Sequence, residues 1–132
     1  DDSGLMIDAL DGAPGIYSAD WAGHSRDFNK AIEKIEYLMR YKKDFSAKMV
    51  CVLCLTWSDK RFKLFKGEMK GTIQLPPRGT KGFGYDPIFI PSIQPFSNKL
   101  LTYGEIEPEF KNLNSHRNFA FNKLLDFITN DK

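Results

Sequence analysis

Two carboxylates stand side by side at the start of the chain, where Asp1 and Asp2 precede Ser3 and Gly4. Carboxylate oxygens are the ligands that Mg²⁺ prefers, one or two of them together with phosphate oxygens and water. The same four residues also fit an ordinary polar loop, and a short segment of this kind taken alone favours the loop. The segment is a candidate magnesium site that needs support from elsewhere in the chain.

A second segment that could do chemistry is 78–87, where Phe83 and Tyr85 alternate with glycines beside Arg78 and Lys81. Glycines let backbone N–H groups approach an anion closely, and flat aromatic rings can stack on a base. A turn between strands would explain the glycines and prolines equally well. It would not explain the aromatic and basic residues, so both interpretations stay open.

The third candidate segment contains hydrogen-bond donors, with Lys111 shortly before Ser115, His116 and Arg117. These residues fall at the start of a predicted helix, where the dipole and the free N–H groups suit an anion or an acceptor-rich ring. A solvated helix end is the more common explanation of such a group.

The whole chain has 132 residues, 42% of them hydrophobic, and a formal charge of +2. This predicts one domain over residues 1–132, and so small a charge does not indicate binding to nucleic acid or to an anionic membrane. The longest apolar run, 49–55, is too short to span a membrane. Cys51 and Cys54 do not form a disulfide framework, and in a strand their thiols point to opposite faces, so they predict core residues in a reducing, cytoplasmic setting.

Hydrophobic periodicity predicts the elements that hold these groups. Apolar residues three and four apart over 27–41 predict an amphipathic helix. The apolar run 49–57 predicts a strand buried on both faces. Alternation over 61–69 predicts a second strand that forms a hairpin with the first and contains a bulge where the apolar phase flips. Residues 5–23, rich in turn formers, are predicted to be mostly loop.

The C-terminal half is predicted to combine a long loop with two helices. Residues 75–95 hold five of the seven prolines, and so long an ordered loop is typically functional. Pro108 is expected to open a helix. A last helix is predicted over 115–128, with a buried stripe made of Phe121, Leu124, Leu125 and Ile128. These elements favour a single α/β unit.

Taken in order, the three segments resemble the signatures of the inosine triphosphate pyrophosphatase family. The matching residues are 1–5 with 12–19, then 77–80 with 82–89, then Lys111 with 115–117. The resemblance implies an α/β fold with a mixed twisted sheet flanked by helices. It also implies a homodimer that uses Mg²⁺ to hydrolyse deaminated purine nucleoside triphosphates (ITP, dITP, XTP) to the monophosphate and pyrophosphate.

The resemblance also implies a role for each matching residue. Asp2 is expected to be the catalytic carboxylate and a Mg²⁺ ligand, with Ser3 beside the substrate. The other substrate-binding residues are expected to be Phe83, Gly84, Tyr85, Asp86, Lys111, His116 and Arg117. Asp20 departs from the family pattern, because it stands where the family usually has Arg.

The donors on the last helix suggest which base is accepted. Hypoxanthine and xanthine present an acceptor at O6, where adenine presents an amino donor. Arg117 and its neighbours are donors, so they are expected to accept the first kind of ring and to reject the second. Guanine also has an O6 acceptor, and the sequence does not explain how it would be rejected.

Family members begin with a strand, a Thr-x-Asn-x-x-Lys loop that holds the triphosphate and a helical Glu, and none of these precedes Asp1. The chain is therefore expected to be the C-terminal two thirds of the enzyme and to be inactive alone. Its sheet is expected to have an unpaired edge beside 49–57, and the helix over 28–39 is expected to lose part of its cover.

Two alternatives to this enzyme stay open. One is a catalytically silent module that binds nucleotides or forms oligomers. The other is a related pyrophosphatase for a different modified nucleotide.

Overall fold

The structure is a computed structural model that describes residues 2–130. Four strands and three α-helices lie within these residues, in the order β1 (Asp2–Ile7), α1 (Phe28–Met39), β2 (Ser46–Thr56), β3 (Phe62–Ile73), β4 (Phe89–Pro91), α2 (Pro108–Leu113) and α3 (His116–Asn130). Short 3₁₀ turns occupy Asp8–Leu10, Gly15–Tyr17, Asp20–Ala22 and Asp86–Ile88. No helix described for these residues is long and apolar enough to cross a bilayer.

The strands form one sheet in the order β1-β2-β3-β4. Helices pack against this sheet, so the predicted α/β class is confirmed. The expected mixture of parallel and antiparallel strands does not appear in the described residues, because all three pairings are antiparallel. A tight turn with Lys60 at φ 72° reverses the chain between β2 and β3, and so short a connection cannot join parallel strands.

The predicted β2–β3 hairpin is confirmed, but the prediction of a bulge in it is wrong. The register runs without interruption from Ser46 opposite Thr72 to Thr56 opposite Phe62. Phe65 and Met69 face the core, whereas Leu64 is 56% exposed on the outer face of the sheet. The alternation of apolar residues changes face because the apolar side chains near the hairpin turn point away from the core. No extra residue is inserted in the strand.

Strand β2 is not buried on both faces along its whole length, as the sequence had predicted. Met49 and Cys51 face the core and are buried, but Cys54 is exposed on the outer face. The opposite orientation of the two thiols was predicted correctly. Continuous hydrophobicity therefore overstated the burial of this strand.

Residues 8–23 form turns and short 3₁₀ segments, in agreement with the predicted loop, but the start of that range, 5–7, belongs to strand β1. β1 pairs with residues 47–52, so β2 has a neighbour on both sides there and the expected unpaired edge is wrong for that part. The chain then turns back, and Ile7 N–H donates to Ala13 O at 3.1 Å on the other edge of β1. Six residues with one buried face suffice for a strand once a partner strand is present.

Helix α1 begins after Asp27, whose carboxylate accepts from Asn29 N–H at 3.1 Å as an N-cap. Its predicted stripe is buried against the sheet, with Ile35 and Met39 almost fully enclosed. The expected loss of cover over this stripe is therefore wrong. The same cluster contains the inward side chains of the strands, among them Leu5, Ile7, Met49, Met69 and Phe89.

Helix α2 begins at Pro108 as predicted, but the predicted burial of α3 is wrong. Phe121, Leu125 and Ile128 are each at least 40% exposed, and the buried residues are His116 and Ala120. The backbone of α3 packs directly on Gly67 of β3, where a side chain would press on Ala120 N at 2.5 Å. A glycine in the sheet thus sets which face of the helix is buried, and the periodicity of α3 alone does not reveal this.

Candidate functional site

A cavity of about 290 Å³ lies between β1 and the loop that precedes the 3₁₀ turn Asp86–Ile88. Its walls contain side chains from all three sequence segments that could do chemistry. Every residue predicted to bind substrate lines this one cavity: Ser3, Phe83, Gly84, Tyr85, Asp86, Lys111, His116 and Arg117. Residues up to 114 positions apart in the sequence therefore share one site.

Residues 82–86, called the aromatic loop below, are held in their conformation by Asp86. Its Oδ2 accepts from Phe83 N–H at 2.9 Å, which closes a tight turn. Gly82 has a φ of 73°, and a side chain at this position would collide with the Asp86 carboxylate. Glycine is therefore required at position 82 both by the left-handed backbone and by the close approach of Asp86.

Asp86 also forms an ion pair with Lys111, whose Nζ lies 2.5 Å from the same Oδ2. The two side chains are only 5% and 12% exposed. The ammonium also lies 4.9 Å from the centre of the Phe83 ring and 5.1 Å from that of Tyr103. A carboxylate and two rings thus fix the position of Lys111 from several sides.

Phe83 remains largely exposed at the mouth of the cavity. The guanidinium of Arg117 lies 4.9 Å from the centre of its ring. Together with Lys111, Arg117 adds positive charge beside a flat aromatic surface. A planar ring with acceptor atoms on its edge matches this combination of an aromatic face and neighbouring donors.

His116 is buried at the first position of α3, and its Nδ1 has no hydrogen-bond partner within residues 2–130. Burial, together with the charges of Arg117 and Lys111, lowers the pKa of its imidazole to about 4. The imidazole is therefore neutral at pH 7.

Two buried tyrosines border the site. Burial raises the pKa of the Tyr85 hydroxyl to about 12. Burial also raises the pKa of Tyr103, to which the charge of Asp86 contributes. Both hydroxyls consequently keep their protons at neutral pH.

Asp2 does not line the cavity. It is exposed on the outer face of the sheet, because successive residues of β1 alternate between faces and Ser3 takes the cavity side. Asp2 borders a smaller cavity of about 150 Å³ beside Gly15 and Ile16. Asp1 lies outside the described residues.

The described residues 2–130 contain no group of three or more His, Cys, Asp or Glu side chains that could hold a metal ion. At the start of β1, the described residues therefore offer a metal ion one carboxylate, that of Asp2. This fits the way proteins hold Mg²⁺, with one or two carboxylates and the remaining positions taken by phosphate oxygens and water.

Sequence reasoning missed several residues of the cavity wall, chiefly Ser18, Phe28 and Met49. Ser18 lies in the first signature, but its type alone gives no hint of a role. Phe28 was assigned to the buried stripe of α1, and its ring packs edge-on against Tyr85 with the centroids 5.2 Å apart. Asp20, the departure from the family pattern, is exposed beside His24 and Arg26, in a separate surface depression.

The fold and this cavity define an α/β protein with an aromatic, cationic pocket that can hold a planar, acceptor-rich ring. The chain belongs to the Ham1 family, whose pattern it matches over residues 1–127. The resemblance to inosine triphosphate pyrophosphatases agrees with this membership, since similar proteins from other organisms are named dITP/XTP pyrophosphatases.

Two such relatives show the degree of similarity. The dITP/XTP pyrophosphatase of Rhodospirillum centenum is 48% identical over 128 residues, which are 95% of this chain and 61% of the relative. That of Agrobacterium fabrum is 44% identical, and the match covers 96% of this chain and 64% of the relative. The chain thus spans somewhat less than two thirds of the length of these relatives.

Solved structures give the same result. The Ham1 protein of Staphylococcus aureus has a TM-score of 0.88 at 38% identity, covering 99% of this chain and 66% of its own. A HAM1 protein from Coxiella burnetii has a TM-score of 0.79 at 35% identity, covering 97% and 64%.

The Asp86–Lys111 pair generates a prediction about stability. Asp86→Asn leaves a buried ammonium without a counter-charge and should lower the free energy of unfolding by about 3–5 kcal/mol. The double variant Asp86→Asn/Lys111→Met removes both charges and should lose less than the sum of the two single variants. Urea unfolding measures all three, and strictly additive losses would show that the pair is not coupled.

His116 generates a prediction about pH. The unfolded histidine binds a proton near pH 6.5, whereas the folded one resists protonation down to about pH 4. The burial of neutral His116 therefore stabilises the fold fully above pH 6.5, and this contribution of roughly 3 kcal/mol is lost progressively as the pH falls to 4.

The measurement is the free energy of unfolding between pH 4 and 7.5 for the wild type and His116→Gln. The difference between the two should shrink as the pH falls through this window. His24→Gln removes an exposed histidine and is the matched control. A constant difference between wild type and His116→Gln would contradict the assignment.

Proposed function

We propose that the natural gene product hydrolyses deaminated purine nucleoside triphosphates to the monophosphate and pyrophosphate. One observation carries the proposal: three separate sequence segments supply the walls of a single cavity of about 290 Å³. The names of the dITP/XTP pyrophosphatases that are 42–48% identical to the chain support the same activity.

In this proposal the cavity holds the purine ring. Phe83 provides an exposed flat face, and Tyr85 and Phe28 form the apolar wall behind it. Lys111 is paired with Asp86, and the guanidinium of Arg117 lies beside Phe83 at the mouth. A guanidinium donates to the O6 acceptor of hypoxanthine or xanthine, and it cannot accept from the amino group of adenine.

Asp2 is proposed to be the catalytic carboxylate and a ligand of Mg²⁺. The metal, when bound, would supply charge neutralisation at the phosphate oxygens and a means of activating water. Asp2 lies at the same end of β1 as Ser3, and Ser3 lines the base cavity. The phosphate chain of a nucleotide that leaves the cavity past Ser3 would therefore approach Asp2.

A module that binds nucleotides without hydrolysing them is the second candidate. The observation in its favour is that Asp2 faces away from the cavity that holds the other eight residues. Binding without turnover, in a natural gene product that carries every residue named here, would favour this candidate over the enzyme.

The setting and the assembly follow the family resemblance. We place the protein in the cytoplasm, in keeping with two free thiols that lie on opposite faces of β2. We also expect a homodimer, and light scattering of the purified protein would test that expectation.

Arg117 generates a prediction about base preference. Arg117→Ala should reduce the preference for inosine monophosphate over adenosine monophosphate by about 1–3 kcal/mol, the value of a good base-edge contact. Calorimetric titration of both nucleotides with the 132-residue chain measures this preference. Arg61→Ala, at the exposed hairpin turn, is the matched control. Equal weakening for both nucleotides would place Arg117 on the phosphate instead.

Asp2 generates a prediction about turnover. Asp2→Asn removes the charge with little change of shape and should slow pyrophosphate release from dITP at least ~10²-fold. The assay uses the natural gene product at saturating Mg²⁺, with Asp59→Asn at the hairpin turn as the control. Near-normal turnover by Asp2→Asn would remove Asp2 from the mechanism.

A further inference from the structure

Ser18 is a buried residue that contacts β1 through its side chain. Its hydroxyl accepts from Leu5 N–H at 3.0 Å and donates to Gly15 O at 2.7 Å. Both hydrogen-bonding functions of the hydroxyl are thus satisfied, and the first of these bonds is fully buried. The 3₁₀ turn Gly15–Tyr17, which Ser18 follows, is thereby linked to the strand that forms one wall of the cavity.

The backbone of Ser18 contacts the opposite wall. Its carbonyl oxygen accepts from the Tyr85 hydroxyl at 2.5 Å, and this bond is also buried. Tyr85 belongs to the aromatic loop, and its ring is held from the side by Phe28. Because the Tyr85 hydroxyl donates its proton to Ser18 O, that proton is not available to a ligand.

Gly4 permits the close approach of the turn to β1. A side chain at this position would press on Gly15 O at 2.6 Å and on Ser18 Oγ at 3.1 Å. The contact between strand and turn therefore depends on a residue without a Cβ, two positions from Asp2 in the same strand.

We propose that Ser18 is a positioning residue that joins β1 to the aromatic loop, through Leu5 N–H and the Tyr85 hydroxyl, and so sets the width of the base cavity. This role deepens the proposed function and rests on it, since the width matters because a flat ring must fit between the walls. Ser18 and Tyr85 lie 67 residues apart and form a direct link between two sequence signatures.

The first test needs no ligand. Amide hydrogen exchange of residues 82–86 is compared between the wild-type chain, Ser18→Ala and Tyr85→Phe. Each variant should speed exchange in this loop about tenfold, while the exchange of β2 and β3 stays within about twofold of wild type. Ser92→Ala removes a hydroxyl that contacts Met69 outside the cavity, and this control should leave the loop unchanged.

Two results would overturn the proposal at this stage. One is unchanged exchange in residues 82–86 of both variants. The other is a uniform increase that includes β2 and β3, because this would indicate general destabilisation. If Ser18→Ala does not fold, Tyr85→Phe decides the question alone, since it deletes one oxygen and retains the ring.

The second test measures coupling through inosine monophosphate affinity. Ser18→Ala and Tyr85→Phe should each weaken binding about tenfold, and the double variant should be no weaker than about twentyfold because both changes break one link. A hundredfold loss in the double variant would show two independent effects and contradict the link. Failure of the wild type to bind would refute the proposed function, while the exchange experiment would still decide the role of Ser18.

Discussion

The ion pair between Asp86 and Lys111 joins the aromatic loop to α2 across 25 residues of sequence. Removing two charges from water is costly, and the cost is recovered only with close geometry and additional hydrogen bonds. The structure supplies both, since Asp86 also accepts from Phe83 N–H and Lys111 also lies over two aromatic rings. The position of Phe83, and with it the mouth of the cavity, depends on this pair.

The electrostatic character of the site follows from the same arrangement. Asp86 pairs with Lys111, and Arg117 lies beside the exposed Phe83 ring. Burial keeps His116 neutral between these cations, which limits the positive charge in the wall. An acceptor-rich but uncharged ring is better suited to such a pocket than an anion is, and this supports the assignment of the cavity to the base.

Hydrophobic periodicity predicted the elements whose buried face is determined by their own residues. Helix α1 and the β2–β3 hairpin appear where periodicity placed them. The buried face of α3 could not be predicted, since it depends on Gly67 in a distant strand. In the site, the family signatures predicted eight of the residues that line the cavity. They could not predict the hydrogen bond from the Tyr85 hydroxyl to the Ser18 carbonyl, because every residue type has a backbone carbonyl.

The central claim is that the cavity between β1 and the aromatic loop binds the purine ring. The most direct test is to map amide chemical-shift changes when inosine monophosphate is added to the isotope-labelled chain. The account predicts that the largest changes fall on residues 82–86, on 115–117 and on Ser3. Changes centred instead on the separate depression beside His24 and Arg26 would contradict it.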